Sequence, residues 1–332
     1  MSGRQLIAGT LPRAERRGRV ERHLLALSGG GYRGLFTATV LARLEDEIGG
    51  VSVARRFDMV AGTSIGGILA IGLACGVPGA SLAAVLRGHA PAIFRPRPVT
   101  FGGLVGARYG SAGLAKAITT ALTPSMAQRP FREIPAPLII CAIDELTSAP
   151  RIFRTDAASG GQGDDVPTID VALATSAAPT YFPPHRIDGR NHVDGGLIAN
   201  APDMLLLTEA IRLYGSSVEE CHLLSVGTAG SPRLGRVTGS PGKFGWAARH
   251  GLIDLIMSAQ EVLALRQAEA LGPGTFMRID AEPPQPIALD TVDTPTTELL
   301  VTLAHQAVDK VKGTRAEKVR RFLAHVPARE AR

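Results

Sequence analysis

The chain has 332 residues, 45% hydrophobic, 20% charged and only 5% aromatic, a globular composition that excludes a disordered, collagenous or wholly coiled-coil protein. The formal net charge of +6 is uneven: residues 1–23 carry six Arg against two Glu, residues 309–332 carry eight basic residues against three acids, and the 285 residues between them hold 22 basic and 25 acidic residues. Nucleic-acid readers carry their charge on the folded face that reads, so basic arms on an acidic body argue against that partner and leave solvated termini or contacts with an anionic lipid or protein surface.

His23–Ser28 is a short apolar strand that runs into Gly29-Gly30-Gly31-Tyr32-Arg33-Gly34. Leu35, Val40, Leu41, Leu44 and Ile48 then recur at helical spacing, and Gly49-Gly50 stop the helix. Phe57–Ala61 is a second strand, broken by Gly62-Thr63-Ser64-Ile65-Gly66-Gly67, after which Ile68–Cys75 is a buried helix. Met59–Leu86 is uncharged and long enough to span a membrane. Its six glycines and Pro78 point instead to a buried strand–turn–helix, and neither a transmembrane segment nor a secretory signal is expected. Pro137–Ile143 is a central strand, Ala157–Asp165 a flexible polar loop, and Val171–Ala178 a helix that ends at Pro179. His192-Val193 ends a strand before Asp194-Gly195-Gly196, and Leu223–Val226 is a further buried strand. A Gly/Pro/Ser-rich loop, Gly227–Gly245, is a candidate lid, and Leu252–Leu271 and Thr297–Val311 are long helices.

Strands alternating with helices predict an α/β fold with a mainly parallel sheet covered on both faces. With no repeat and no separating linker, one domain is expected: a basic arm over 1–22, a core over 23–230, and a loop with C-terminal helices over 231–332 packed on the same domain. Cys75, Cys141 and Cys221 are few and widely spaced, which suits a reducing cytosol and suggests neither a disulfide framework nor a metal site.

Gly62-Thr63-Ser64-Ile65-Gly66 is a G-x-S-x-G at a strand-to-helix junction. Such a sharp turn exposes the serine hydroxyl at the end of a sheet, and the flanking glycines avoid collision with the neighbouring strand and helix. The helix that follows aims its N-terminus at developing negative charge. Taken alone, the same pattern is also a glycine-rich buried turn. Gly29–Gly34 satisfies G-x-G-x-x-G, a dinucleotide fingerprint, but no apolar strand ending in an acid follows about twenty residues on. Glu45, Asp46 and Glu47 come too early, and Asp58 begins the next strand. The alternative is a run of backbone N–H groups that holds an oxyanion, with Arg33 adding positive charge. For the base, Asp194 stands at the end of its strand with Gly195 and Gly196 behind it. His222, His250, His305 and His325 follow it and His185 and His192 precede it, none in a loop of catalytic character. A Ser64–Asp194 dyad therefore fits better than a serine–histidine–acid triad.

GGGYRG at 29–34, GTSIGG at 62–67 and DGG at 194–196, with ATSAAPTYFPP at 174–184, together resemble the patatin-like phospholipases over roughly residues 23–230. The resemblance implies a three-layer α/β/α fold, a Ser64–Asp194 dyad, and an oxyanion hole from the N–H groups of Gly30 and Gly31. Gly29, Arg33, Gly34, Gly62, Gly66, Gly195 and Gly196 support the motifs. It also implies hydrolysis of lipid acyl esters with no metal or cofactor. LFTATVLARLE, FDMVAGTSIGGILAIGLA, HAPAIFRP and HVDGGLIANAPD are similar, more narrowly, to the bacterial CBASS effector phospholipases. That likeness implies a cytoplasmic enzyme acting at the inner face of the cell membrane, switched on by a cyclic dinucleotide, cGAMP in most cases, during phage infection. No nucleotide pocket is legible in the residues themselves. Arg95, Arg97, Arg108 and Lys116 lie in a Gly/Pro-rich region suited to two phosphates, and equally read as ordinary surface charges. The alternatives are a constitutive lipid acyl hydrolase, a nucleotide-binding module built on the first glycine loop, and a triad esterase. Lipid headgroup, acyl position and oligomeric state, a homo-oligomer included, stay open.

Overall fold

A computed structural model describes residues 20–98, 106–230 and 252–327 of the chain. Within them eight strands form one sheet. β1 (Arg22–Leu27), β2 (Met59–Thr63), β3 (Leu138–Asp144), β7 (Cys221–Val226) and β8 (Thr275–Ile279) run parallel, in the spatial order β3-β2-β1-β7-β8. β4 (Ala149–Arg154), β5 (His185–Ile187) and β6 (Arg190–Asp194) join antiparallel at the β3 end.

Successive side chains of a strand point to opposite faces, so an apolar run with no polar gap is a strand buried on both sides. Leu25, Leu27, Val60, Leu138 and Ile140 face one core; Leu24, Ala26, Met59, Ala61 and Ile139 face the other. Each aliphatic side chain fully buried this way contributes about 1.5–3 kcal/mol. The first core is covered by α1 (Gly34–Asp46), α2 (Ile65–Ala74), α3 (Gly79–Ile93), α4 (Ser111–Leu122) and the helix Thr294–Thr314. The helices Asp203–Tyr214 and Leu252–Leu271 cover the second. The result is the expected three-layer α/β/α arrangement with its mainly parallel sheet.

The edges of β3 place the chemistry. β4 pairs with β3 over Ile139–Asp144, which occupies one edge along its length. The other edge is therefore shared end to end by two strands. β2 takes it first, with Val60–Thr63 against Leu138–Cys141, and β6 takes it next, with Asp194 opposite Ala142. The last residue of β2 and the last residue of β6 thus sit opposite consecutive residues of β3. Ser64 follows directly after Thr63, so the register alone sets Ser64 beside Asp194.

Elsewhere the structure departs from the sequence reading. Ala157–Asp165 is not a free loop: Asp156–Ser159 is a helical turn, Gly163 donates to Asp156 Oδ1 at 2.8 Å, and Asp164 Oδ2 accepts from the Arg154 amide at 2.6 Å. Its polar residues are spent on the chain itself. The β4, β5 and β8 strands were unanticipated, and β8 lies in a stretch read as loop and helices. β4 carries charges because it is a half-exposed edge. The Gly227–Gly245 loop from residue 231 on, the arm before residue 20 and the tail after 327 lie outside the described residues.

Packing around the serine turn is tight enough to be measured. A Cβ at Gly66 would overlap the carbonyl oxygens of Leu27 and Ser28, backbone that cannot move aside. Gly66→Ala is expected to lower the urea midpoint by the equivalent of about 1–3 kcal/mol. Gly88→Ala, in α3 with nothing within 4 Å of the new methyl, should be stabilising by about 0.4–1 kcal/mol.

Candidate active site

Ser64 is the single residue between β2 and α2, and its φ of 55° and ψ of −129° are a backbone conformation that costs a non-glycine residue about 1–3 kcal/mol. The surroundings hold it there. Its amide donates to Thr175 Oγ1 at 3.0 Å, and that hydroxyl donates onward to the Cys141 carbonyl at 2.6 Å. Its carbonyl accepts from the amides of Gly67 and Ile68, at 2.9 and 3.1 Å, which opens α2.

The Ser64 hydroxyl donates to Asp194 Oδ2 at 2.6 Å, and the Gly196 amide donates to Oδ1 at 2.7 Å. Asp194 is only 1% exposed. Burial pushes its carboxyl up to about 7, while the hydrogen bonds from Ser64 and Gly196 pull the other way. A carboxylate held near neutrality is matched to proton exchange with a serine.

Gly31 adopts φ of 57°, and a side chain there would run into the Leu289 carbonyl; this is the turn that carries the first glycine loop past the serine. The Gly29 amide donates to the Asn200 carbonyl at 2.9 Å, and the Tyr32 amide to the Leu289 carbonyl at 2.7 Å. Gly30 abuts Thr228, and Gly34 packs against Ile65. Gly62 abuts Gly66 across the turn, and Gly195 abuts the Cys141 carbonyl. The Arg33 guanidinium donates to the Ile287 carbonyl at 3.3 Å. Burial lowers its pKa, and Glu261, Asp254 and Asp280 offset that.

Beneath this loop lies a charged network that no motif announced. Arg278 donates to Ser28 Oγ at 2.8 Å, Ser225 Oγ at 2.7 Å and Asp280 Oδ2 at 2.8 Å, and pairs with Glu261. Glu261 accepts in turn from Asn200 Nδ2 at 2.8 Å. These residues come from the ends of β1 and β8, from β7, from the Leu252–Leu271 helix and from the residue after the Gly196–Ala199 turn, so their convergence has no sequence period.

Ser64 and Asp194 open onto a pocket walled almost wholly by apolar groups. Ile65 and Ile68 of α2, Leu86 and Ile93 of α3, Phe94, Leu114, Tyr181, Phe182, Met257 and Leu289 line it with Gly31. Ser176, Ala178, Tyr181 and Phe182 belong to the 174–184 element, whose Ala177 carbonyl also accepts the Asp194 amide at 3.1 Å.

Several of the described histidines are engaged elsewhere. His185 pairs with Asp170 at 2.9 Å, His305 with Arg43 at 3.0 Å and His325 with Asp58 at 2.8 Å. His192 packs on Phe153, and His250 lies outside the described residues. Among the described residues one set of side chains of metal-ligand type converges, Glu21, His23 and His222, at the starts of β1 and β7, the opposite end of the sheet from Ser64. There Arg321 donates to Glu21 at 2.6 Å and contacts His222 Nε2 at 3.2 Å.

The four cationic candidates are only partly brought together. The Arg97 amide donates to the Arg108 carbonyl at 2.8 Å, beside a bridge between Pro96 and Tyr109, which joins Arg95, Arg97 and Arg108 on one loop pair. Arg95 and Arg97 are exposed. The Arg108 guanidinium is held by Asp290 at 2.7 Å, an acid that also accepts from Tyr109 at 2.6 Å. Lys116 is exposed on α4.

A sequence profile described as "Patatin-like phospholipase" matches residues 25–207. The chain is 35% identical over 305 residues to a cGAMP-activated phospholipase of Pseudomonas aeruginosa, covering 88% of this chain and 89% of that protein. It is 35% identical over 314 residues to a cGAMP-activated phospholipase of Vibrio cholerae, covering 85% and 88%. Patatin-17 of Solanum cardiophyllum is 27% identical over 263 residues, covering 69% and 66%.

The buried carboxyl has a consequence for stability. Because its folded pKa is raised to about 7, the stabilisation it contributes is full below its unfolded pKa and is lost as pH rises through about 7. Asp194→Asn removes that loss. Its melting temperature should therefore match the wild type near pH 4 and exceed it at pH 8; an equal difference at both pH values would show that Asp194 ionises as freely as in water.

Proposed function

The chain belongs to the patatin-like phospholipase family and is a lipid acyl hydrolase, and from that premise we propose that Ser64 is its nucleophile, Asp194 its general base, and the Gly30 and Gly31 amides its oxyanion hole. The observation that carries this reading is the 2.6 Å hydrogen bond from Ser64 to a buried Asp194 at the floor of an apolar pocket. The Ser64 oxygen attacks the acyl carbonyl carbon as its proton passes to Asp194 Oδ2. The tetrahedral oxyanion is held by the glycine-loop amides and the N-terminus of α2. On collapse, the ester C–O bond breaks and the leaving alcohol takes the proton from Asp194. Water then attacks the acyl-serine, gives its proton to Asp194, and the fatty acid departs as Ser64 is reprotonated. Apolar walls accommodate the acyl chain and keep the proton exchange dry.

The enzyme is, in this reading, activated by a cyclic dinucleotide, cGAMP, and degrades phospholipids at the inner face of the cell membrane as the effector of a CBASS anti-phage system. Support comes from the two cGAMP-activated phospholipases that are 35% identical to this chain over most of both chains. To meet the phosphates, the exposed Arg95 and Arg97 would be joined by Arg108, which would have to leave Asp290, and by Lys116 from α4.

Fatty-acid release from phospholipid vesicles, measured with a panel of cyclic dinucleotides, tests both halves. Ser64→Ala should lower release by about 10³-fold or more. The wild-type rate should rise with pH through about 7 and then level, because catalysis needs the ionised Asp194. Release that is independent of every nucleotide would keep the hydrolase and overturn the activation.

A further inference from the structure

The apolar pocket of Ser64 does not end at its walls. A second cavity lies between α2, α3 and α4, and five residues line both: Ile65, Ile68, Leu86, Ile93 and Leu114. The residues that line the second cavity alone are Leu69 on α2, Leu82 and Val85 on α3, and Ala117, Ile118 and Ala121 on α4. On α4 the lining residues Leu114, Ala117, Ile118 and Ala121 recur at i, i+3, i+4 and i+7, which is one face of a helix. Ile65, Ile68 and Leu69 share a face of α2 in the same way.

The second set lies further from Ser64 on every helix. α2 starts at Ser64, so Leu69 is deeper than Ile65 and Ile68. Gly113, at the start of α4, abuts the Ala92 carbonyl near the end of α3, and Gly72, in the last turn of α2, faces Leu82 in the first turn of α3. Leaving Ser64 therefore means moving forward along α2 and α4 and backward along α3, which is the direction from the shared residues to the others. From Leu114 to Ala121 the seam runs for about 10 Å at 1.5 Å per residue. Every side chain on it is Ile, Leu, Val or Ala. A headgroup oxygen placed there would lose its water with nothing to replace it, whereas a hydrocarbon gives up no hydrogen bond. The seam is narrow, and its smallest side chains are Ala117 and Ala121, one turn apart.

We propose that the seam between α2, α3 and α4 is the subsite for the far end of the acyl chain, and that Ala117 and Ala121 set the chain length the enzyme accepts. This rests on the reading of Ser64 as the nucleophile of a lipid acyl hydrolase. With the ester carbonyl at Ser64, the near carbons lie in the first pocket against Ile65, Ile68 and Ile93, and the chain passes Leu114 to end among Leu69, Leu82 and the two alanines. Ala117 lines the second cavity and not the first, so a larger side chain there blocks the passage without entering the pocket of Ser64. Long chains are then preferred to short ones, because each methylene that leaves water for the seam adds up to about fourfold in affinity.

The test compares the full-length wild type with Ala117→Leu and with Ala112→Leu, an exposed position on the same helix, on p-nitrophenyl butyrate and palmitate in micelles with cGAMP present. In Ala117→Leu the ratio of kcat/KM for palmitate to that for butyrate should fall about tenfold or more. Ala112→Leu should keep the wild-type ratio within about twofold. A misfolded fraction lowers both rates together, so the ratio reports the seam rather than the amount of folded enzyme. A second readout needs no turnover: equilibrium dialysis of palmitate against Ser64→Ala, where adding Ala117→Leu should weaken binding about tenfold. An unchanged ratio in Ala117→Leu overturns the proposal, as does an equal fall from Ala112→Leu, or palmitate binding that is absent from Ser64→Ala or unaltered by Ala117→Leu. Ester hydrolysis that survives Ser64→Ala, or none by the wild type, counts instead against the Ser64 reading, and the dialysis then decides the subsite by itself.

Discussion

The shared edge of β3 is the constraint on which the rest of the site depends. β2 leaves that edge at Cys141 and β6 meets it at Ala142, one parallel and one antiparallel, so two strand ends from distant parts of the chain face each other with no loop between them. A slip of one residue in either pairing would turn its side chains to the other face and separate Ser64 from Asp194. The β3–β4 pairing closes the opposite edge and leaves β6 no other place to pair. Thr175 and Cys141 then tie the serine turn back to β3 itself, which holds the strained backbone of Ser64 against relaxation.

Burial does two jobs in this arrangement. Apolar walls from α2, α3 and the 174–184 element make a pocket that suits an acyl chain, and the same dryness raises the Asp194 carboxyl to about 7. Desolvation alone accounts for the rise of this carboxyl toward neutrality. The cost is borne by the fold, in a carboxylate that would be more easily ionised in water. Beside it, the buried Arg278 is kept ionised by Asp280 and Glu261, while burial raises the Glu261 carboxyl as it does that of Asp194, with Arg278 and Asn200 pulling the other way. That network joins the first glycine loop to the Leu252–Leu271 helix, so the wall of the pocket and the loop that approaches the serine are parts of one rigid support.

Strands buried on both faces were legible because burial on both sides demands an unbroken apolar run, as in Leu24–Leu27 and Leu138–Ile143. β8 alternates buried and half-buried residues over only five positions, and β4 is a charged edge, so neither contrasts with a loop. The Ala157–Asp165 segment looks free in sequence because glycine and aspartate suit loops; Asp156 and Asp164 are instead consumed by hydrogen bonds to nearby amides. The two glycine motifs were legible for a local reason, since each is a strand-to-helix turn whose close approaches exclude side chains.

By itself the sequence determined the layers, four of the five parallel strands, the serine turn and the acid that could serve it, because each is a local pattern of apolar runs and glycines. Tertiary structure alone decided that Thr63 and Asp194 lie opposite adjacent residues of β3, that Arg33 turns toward Ile287, that Met257 and Leu289 complete the pocket, and that Arg108 is held by Asp290. Those facts depend on pairings between residues far apart in the chain, and pairing register and packing direction leave no period in a single sequence from which to read them.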